Sequence, residues 1–590
     1  MSARPLTTQL RAALWTGLAT GLGEALLLGA QKLLFGKRLH LGPQMLWMAP
    51  FANALLFLPL GLLLAGLARL APAEERERWM RAGLAFFALA SWLLLFERLQ
   101  MHAALLLAIG AAWRLAPRGS RLPRALRRSA RGAALLLLLV AGGYLGGVRF
   151  AEQRAERRLP PAPAGRPNVL LLVLDTVRAQ NMSLYGYDRP TTPALEGLAA
   201  RGTVFENAIS PAPWTTPSHA GIFTGRRAHE IAAGWDRPLD EATPTLAERL
   251  RANGYATAGF VANTINCGYE SGLARGFLHY EDYEATPGEL AISASLSRAV
   301  LHADPLRRWL GWHQFVTRKS AADVNAAFLT WLARRPTAPF FAFLNYFDAH
   351  EPYLPPASFA GRFGPPARDA GRVTHRLRMA WRSDRERISP EENRSELAAY
   401  DAAIASLDDQ IGALLATLDR QGLLARTLVI VTSDHGEAFG EHGRYAHGED
   451  LYLTSIRVPL LLLWTEAVPG GARIATPVSL CDLPATILDL LALPGDGLPG
   501  ESLARRWRDP ASPATPVRSQ VDIAPIMPHK FAPGAAAVMH SVIEGRYHAI
   551  KNVDGSEELY DILADPGERN DLHASRSGPA RHPISHHLHE

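Results

Sequence analysis

The sequence predicts an α/β chain in two parts: an N-terminal bundle of about five transmembrane helices, then a mostly parallel sheet flanked by helices. Three observations carry this reading. Apolar runs dominate the first 150 residues. Further on, "NVLLLVLD" (168–175), "PFFAFLNYFD" (339–348), "TLVIVTSD" (427–434) and "VPLLLLW" (458–464) are continuous apolar runs, as in strands buried on both faces of a parallel sheet. Helical patterns lie between them, clearest at 395–419, where Ala, Ile and Leu repeat at helical spacing. A chain of 590 residues also exceeds one ordinary core.

The membrane part reads as five segments, near 12–34, 45–68, 80–96, 100–115 and 132–150, against the ~20 apolar residues that a crossing needs. A cleaved signal peptide does not fit, because further spans follow the first. Residues 1–150 hold 18 Lys and Arg against 5 Asp and Glu, a net of +13. The whole chain is only +6, so the remainder is near −7. The basicity therefore belongs to the membrane part and does not mark a nucleic-acid-binding domain. Seven arginines (Arg114, Arg118, Arg121, Arg124, Arg127, Arg128 and Arg131) place the connection after the fourth segment in the cytoplasm. An odd number of spans then puts everything beyond residue 150 outside it, in the manner of a bacterial integral-membrane protein with a periplasmic or other extracytoplasmic domain. Within the first span, Gly17 to Gly21 has small-residue spacing and Glu24 is ionisable. Close helix packing and a carboxylate satisfied by a neighbouring span account for both.

A Pro/Ala-rich linker at 151–167 leads to the soluble part. Open sheets of this class bind ligands at the carboxyl ends of their strands. Three runs end in or beside a carboxylate: Asp175, Asp348 and Asp434. A lone Asp after a strand is often only a helix cap. Asp434 with His435, joined by Asp175, makes a better divalent-metal candidate. Cys267 and Cys481, the only cysteines, are too few for a disulfide framework, and their pairing is left open.

Across residues 167–573 the chain resembles the sulfatases of the alkaline phosphatase superfamily. The resemblance rests on "PNVLLLVLDTVRAQNMSLYGYDRPTTPALEGLAARGTVFENAIS", "PWTTPSHAGIFTG", "DAHEPYLPP", "TSDHGEAFGEHGRYAHGEDLYLTSIRVPLLL" and "ELYDILADPGERNDL", five blocks in the family's order. It implies an alkaline-phosphatase-like catalytic domain (168–500), a small C-terminal antiparallel subdomain (501–575) and a loose tail (576–590). The family signature runs Cys/Ser-x-Pro-x-Arg, its first residue oxidised to formylglycine. Here "TTPSH" puts Thr215 at that position and His219 at the arginine. Threonine is no substrate for that oxidation, so no formylglycine is expected and an unmodified hydroxyl is the implied nucleophile. Pro217 suits the first turn of a helix, with Thr215 and Thr216 as cap candidates. A threonine ester of phosphate turns over by in-line displacement, whereas one of sulfate lacks the hemiacetal exit of formylglycine. Lipid A phosphoethanolamine transferases and lipoteichoic acid synthases are similar in architecture, with membrane spans before a threonine-dependent extracytoplasmic domain.

Residue by residue, the resemblance implies that Asp175, Thr215, Asp434 and His435 bind one divalent ion. An imidazole replacing a carboxylate favours Mn²⁺ or Zn²⁺, with Mg²⁺ or Ca²⁺ as the alternatives. Thr215, His350 and His447 are the implied catalytic residues; His219, His350 and His447 would contact substrate. Asp348 is read as orienting a neighbour, Arg178 and Arg457 as structural ion pairs, and His442 as structural or one layer removed from the ion. The basic segment 360–394 reads equally as a lid or as a solvated insertion. The function implied is a membrane-bound metal-dependent hydrolase or phosphotransferase acting on a phospho- or sulfo-ester of a membrane lipid or cell-envelope glycan. The alternative is a catalytically silent relative that binds an anionic glycan or partner. A transporter is disfavoured, since the spans show no internal repeat.

Overall fold

A computed structural model describes residues 6–588 apart from 97, 117–129, 163–164, 236, 284–285, 304–305, 307–316, 335–338, 366–387, 496, 528–529, 532–535 and 574–582. The chain forms two compact units. One comprises Met1–Arg154 with Tyr283–Thr317, the other Ala155–Asp282 with Arg318–Glu590.

In the first unit the five apolar segments are five helices: α1 (Leu6–Phe35), α2 (Met45–Leu67), α3 (Arg76–Leu93), α4 (Met101–Leu115) and α5 (Ala130–Glu156). Among the described residues three stretches, Leu6–Phe35, Met45–Leu70 and Leu135–Glu156, are long and apolar enough to cross a membrane. The other two fall short for physical reasons. Helix α3 begins with the charged turn "RERWMR". The 15 residues of α4 reach only ~22 Å at 1.5 Å per residue. Helix α5 also continues into the expected linker as far as Glu156. Of the seven arginines, only Arg114 and Arg131 fall among the described residues, at helix ends. A Cβ at Gly17 or Gly21 would collide with the carbonyls of Asn53 and Ala49 on α2, so these glycines serve close packing. Glu24 is wholly buried, and its Oε2 accepts from Asn53 Nδ2 at 2.7 Å. Its Oε1 accepts from the Ser295 amide at 3.1 Å and from the Ser295 hydroxyl. Ser295 opens a short helix (Ser295–Leu301) that the later chain lends to this unit.

The second unit is built on an eight-stranded sheet. Its strands are β1 (Asn168–Leu174), β2 (Thr203–Phe205), β3 (Ala256–Val261), β4 (His279–Glu281), β5 (Phe340–Tyr346), β6 (Thr427–Thr432), β7 (Leu460–Leu463) and β8 (Ala472–Ile474). Across the sheet the order is β8-β2-β7-β6-β1-β5-β3-β4. All four long apolar runs are strands, yet β7, from "VPLLLLW", lies antiparallel to both β6 and β2. The other pairings are parallel. The chain between β6 and β7 contains no crossover helix long enough to return it in parallel, so β7 runs back alongside β6. Every residue of β1, β5 and β6 is buried, as central strands covered on both faces require.

The helix Pro390–Arg420 starts five residues before its periodic stretch, because Ser389 at the cap and Glu392 in the first turn form a capping box around Pro390. Of the segment 360–394, residues 366–387 lie outside the described residues. At the C-terminus β9 (Val517–Asp522), β10 (Val538–Glu544), β11 (Tyr547–Lys551) and β12 (Glu557–Asp561) make a four-stranded antiparallel sheet. The tail is not wholly loose: Pro583–Leu588 form a 3-10 turn whose Ile584 and Leu588 pack with Val542, Ala549 and Leu559.

Candidate active site

The three adjacent strands β6, β1 and β5 deliver Asp434, Asp175 and the His350 loop to one edge of the sheet. Asp175 is the residue after β1. Asp175, Asp434 and His435 bring potential ligand atoms within 4.8 Å of one another, all buried. Asp175 Oδ2 accepts from Asn263 Nδ2 at 2.8 Å, and Asp434 Oδ1 from the amides of Thr176 (3.2 Å) and His435 (2.9 Å). The remaining oxygens, Asp175 Oδ1 and Asp434 Oδ2, are buried without a hydrogen bond. Buried oxygens in that condition are costly unless a cation takes them up. Burial pushes the Asp175 carboxyl well above its usual range, helped by the charge of Asp434, and burial pushes Asp434 up to about 7. His435 Nδ1 donates to the Gly436 carbonyl at 3.0 Å, leaving the Nε2 lone pair facing Asp434 Oδ2 at 3.4 Å. Burial lowers this imidazole to about 4. A neutral imidazole and two under-satisfied carboxylates suit a divalent ion.

Thr215 opens the helix Thr215–Thr224, and its Oγ1 lies 3.3 Å from His435 Nε2. The threonines are not caps: Trp214 takes the cap position, and no side chain bonds there. Thr216 Oγ1 donates instead to the Asn266 carbonyl at 3.2 Å. The Thr215 hydroxyl is thereby left to the cluster. Ser218 Oγ donates to the Asp434 carbonyl at 2.6 Å, fastening this helix to the strand-end loop.

His350 and His447 stand on the same side. Their rings are 5.2 Å apart, and the His435 and His447 rings are 4.4 Å apart. His350 Nδ1 donates to the Glu351 carbonyl at 2.8 Å, so its Nε2 is the accepting nitrogen. Burial lowers its pKa well below the ordinary value. His447 Nδ1 is 2.9 Å from Glu437 Oε1, a buried pair in which the carboxylate orients the ring.

A sequence profile described as Sulfatase matches residues 167–493, more than half of the chain. The chain belongs to the sulfatase family. Choline-sulfatase of Rhizobium meliloti (strain 1021) is 25% identical over 70% of this chain and 84% of its own. The ulvan-active sulfatase of Formosa agariphila is 25% identical over 69% and 77%. The crystal structure of phosphonate monoester hydrolase from Agrobacterium radiobacter superposes with a TM-score of 0.54 at 22% identity, over 69% of this chain and 92% of that one, and so shares the fold. This sulfatase-family chain is thus an ester hydrolase of the alkaline phosphatase superfamily, a group acting on sulfate or phosphate esters.

Other residues singled out in the sequence take the following places. His219, at the position of the signature arginine, is wholly buried behind the helix. Its Nδ1 donates to the Thr215 carbonyl at 2.9 Å and lies 3.5 Å from Asp434 Oδ2, and burial lowers it to about 4. Its Nε2 is buried without a hydrogen bond. Thr176 follows Asp175 at the end of β1. Held at φ 63°, it turns its hydroxyl to the carbonyls of Asp175 (2.7 Å) and Ala349 (3.2 Å), away from the cluster. Arg178 pairs with Glu441 at 2.9 Å, Arg457 holds the Glu206 carbonyl, and His442 stacks on Tyr452. Both cysteines are buried and free. Asp348 accepts from the Ala321 amide at 3.1 Å, as an orienting group would.

Three residues of the site carried no sequence signal. Asn263 ends its strand without a carboxylate. Glu437 is one of many acids in its block. Arg318 donates to the carbonyls of Pro352 (2.7 Å), Phe347 (2.8 Å), Asp348 (2.7 Å) and His350 (3.0 Å), lacing the His350 loop from 30 residues upstream.

Proposed function

We propose that this protein is a membrane-bound, metal-dependent sulfatase-family esterase whose nucleophile is Thr215 and whose catalytic unit works outside the cytoplasm. The observation carrying this is the Thr215 hydroxyl at the start of a buried helix, 3.3 Å from His435 Nε2 and beside two carboxylate oxygens without hydrogen bonds. Asp175, Asp434, His435 and Thr215 would hold one ion, Mn²⁺ or Zn²⁺ by the donor set. When bound it supplies charge stabilisation for the threonine oxygen and the transferred anion.

The residues then divide the work. Thr215 Oγ1 attacks phosphorus or sulfur, the O–P or O–S bond to the leaving alcohol breaks, and the Thr215 proton passes to solvent water. His447 Nε2, its ring held by Glu437, gives the leaving oxygen its proton. His350 Nε2, from the opposite ring, contacts the transferred group. Water then cleaves the threonine ester, restoring the hydroxyl; an alcohol acceptor in place of water would make the same chemistry a transfer. Substrates are phospho- or sulfo-esters of a glycan or lipid headgroup, the ulvan and choline in the relatives' names marking the range. The odd number of long apolar helices and the arginine-rich connection support an extracytoplasmic catalytic unit.

The test is turnover of matched aryl phosphodiester, phosphomonoester and sulfate by the purified full chain with Mn²⁺ or Zn²⁺. Thr215→Ala should abolish activity and Thr215→Ser should retain part of it. Activity surviving Thr215→Ala overturns the assignment, and the preferred ester decides between phosphorus and sulfur.

A further inference from the structure

Residues 283–317 depart from the catalytic unit and belong to the membrane unit, and none of the chemistry above uses them. They include two short helices, Pro287–Ser293 and Ser295–Leu301, separated at Ala294, whose backbone is extended (φ −92°, ψ 129°). The break is enclosed: Ile292, Ser293, Ala294 and Ser295 are each at most 5% exposed. The Ser295 amide donates to Glu24 Oε1 at 3.1 Å. The Ser295 hydroxyl lies between that oxygen and the Ser91 carbonyl, 2.7 Å from the latter. Among the last four carbonyls of α3, those of Ala90, Trp92 and Leu93 take the amides of the following turn, which leaves Ser91 to the insert. Asn53 on α2 donates to the other oxygen of Glu24, and the charge of Arg298 acts on the same carboxylate. Where the insert begins, Gln44 donates to the Tyr283 carbonyl at 2.8 Å, and a Cβ at Gly42 would meet Tyr283 at 2.7 Å.

Resting on the reading of this unit as membrane-spanning, we propose that residues 286–303 form a re-entrant element, latched by Glu24, that gives the catalytic unit a second membrane attachment besides α5. Depth supports this. Glu24 lies about three turns inside the end of α1 at Phe35, ~16 Å along its axis, against a hydrocarbon core of ~30 Å. Non-helical backbone persists at such depth only where protein encloses it, the condition that residues 292–295 meet. A segment resting on headgroups would keep its polar groups toward water. Here Ser295 turns inward onto α1 and α3, and a carboxylate buried among apolar helices finds its donors there.

The experiment places a site-specific protease sequence at the exposed Arg157–Arg158, just after α5, in the full chain in native membranes. An uncut chain missing from the membrane pellet would refute the membrane reading itself. After cleavage the C-terminal fragment should stay in the pellet through a wash at about 1 M salt, where the Debye length falls to ~3 Å and headgroup adhesion is lost. Its release from the wild type overturns the proposal. Glu24→Ala combined with Ser295→Ala should lose this retention, while the uncut variant stays in the pellet with the wild-type pattern of limited proteolysis. Full retention of the cut double variant overturns the latch. Ser91→Cys with Ser295→Cys reads the same contact in a chain that keeps Glu24. Mild oxidation should join the two fragments in one band on a non-reducing gel, as neither single variant does, and separate bands overturn the proposal.

Discussion

Arg318 gives the sharpest test of how the His350 loop is held. Its guanidinium donates four hydrogen bonds of 2.7–3.0 Å to carbonyls between Phe347 and Pro352, and lies over the Phe347 ring, which itself stacks on His350. Burial lowers its pKa to about 10, so it remains charged at neutral pH. Arg318→Ala strips the loop of these donors. A hydrogen bond to a charged group contributes ~1.5–3 kcal/mol net, but the four are not additive and the half-buried site admits water, so about 2–4 kcal/mol is expected. In a domain of this size that lowers Tm by a few °C. The catalytic effect should be larger, since a misplacement of ~1 Å can cost ~10²-fold in rate. We expect kcat to fall ~10- to 100-fold, with Arg318→Lys intermediate because an ammonium cannot span four carbonyls. On a His350→Ala background the further loss should nearly vanish, because Arg318 acts through that ring's position. Full kcat in folded Arg318→Ala, or an undiminished effect without His350, would refute the reasoning.

Two further outcomes follow from buried acids. Glu396 is 2% exposed with neither carboxylate oxygen hydrogen-bonded, and burial, with the charges of Glu351 and Glu392, pushes it up to about 8. The folded protein thus binds this proton more tightly than the unfolded chain. Its stabilising effect is complete below the unfolded value near 4.5 and is lost as pH rises to about 8, at ~1.4 kcal/mol per pH unit. Glu396→Gln should therefore flatten the decline of Tm between pH 5 and 8; an unchanged decline would show that Glu396 is not its source. Chelation should likewise lower Tm, and added Mn²⁺ or Zn²⁺ should restore it in a concentration-dependent way, since the ion binds the folded state. Asp175→Asn should blunt that response, and a wild-type Tm indifferent to chelator and ion would count against a metal at the cluster.

The sequence alone specified what depends on local pattern. Continuous apolar runs announced the central strands because residues covered on both faces need no alternation. The helical periodicity marked the long helix from 395, whereas its true start at Pro390 showed only in the structure, through the capping bonds of Ser389 and Glu392. The carboxylates at strand ends could be singled out because parallel strands align their carboxyl termini on one edge. What pairs residues distant in the chain was decided only by the tertiary structure. The reversal of β7 depends on how the chain returns from β6, and its composition matches that of its parallel neighbours. The place of His219, 3.5 Å from Asp434 Oδ2, came from the packing of its helix. Arg318 and Glu437 are unremarkable charges in sequence. Each acquires its role from backbone carbonyls or an imidazole brought within 3 Å by the fold, because hydrogen bonds depend on distance and direction, which a linear pattern does not encode.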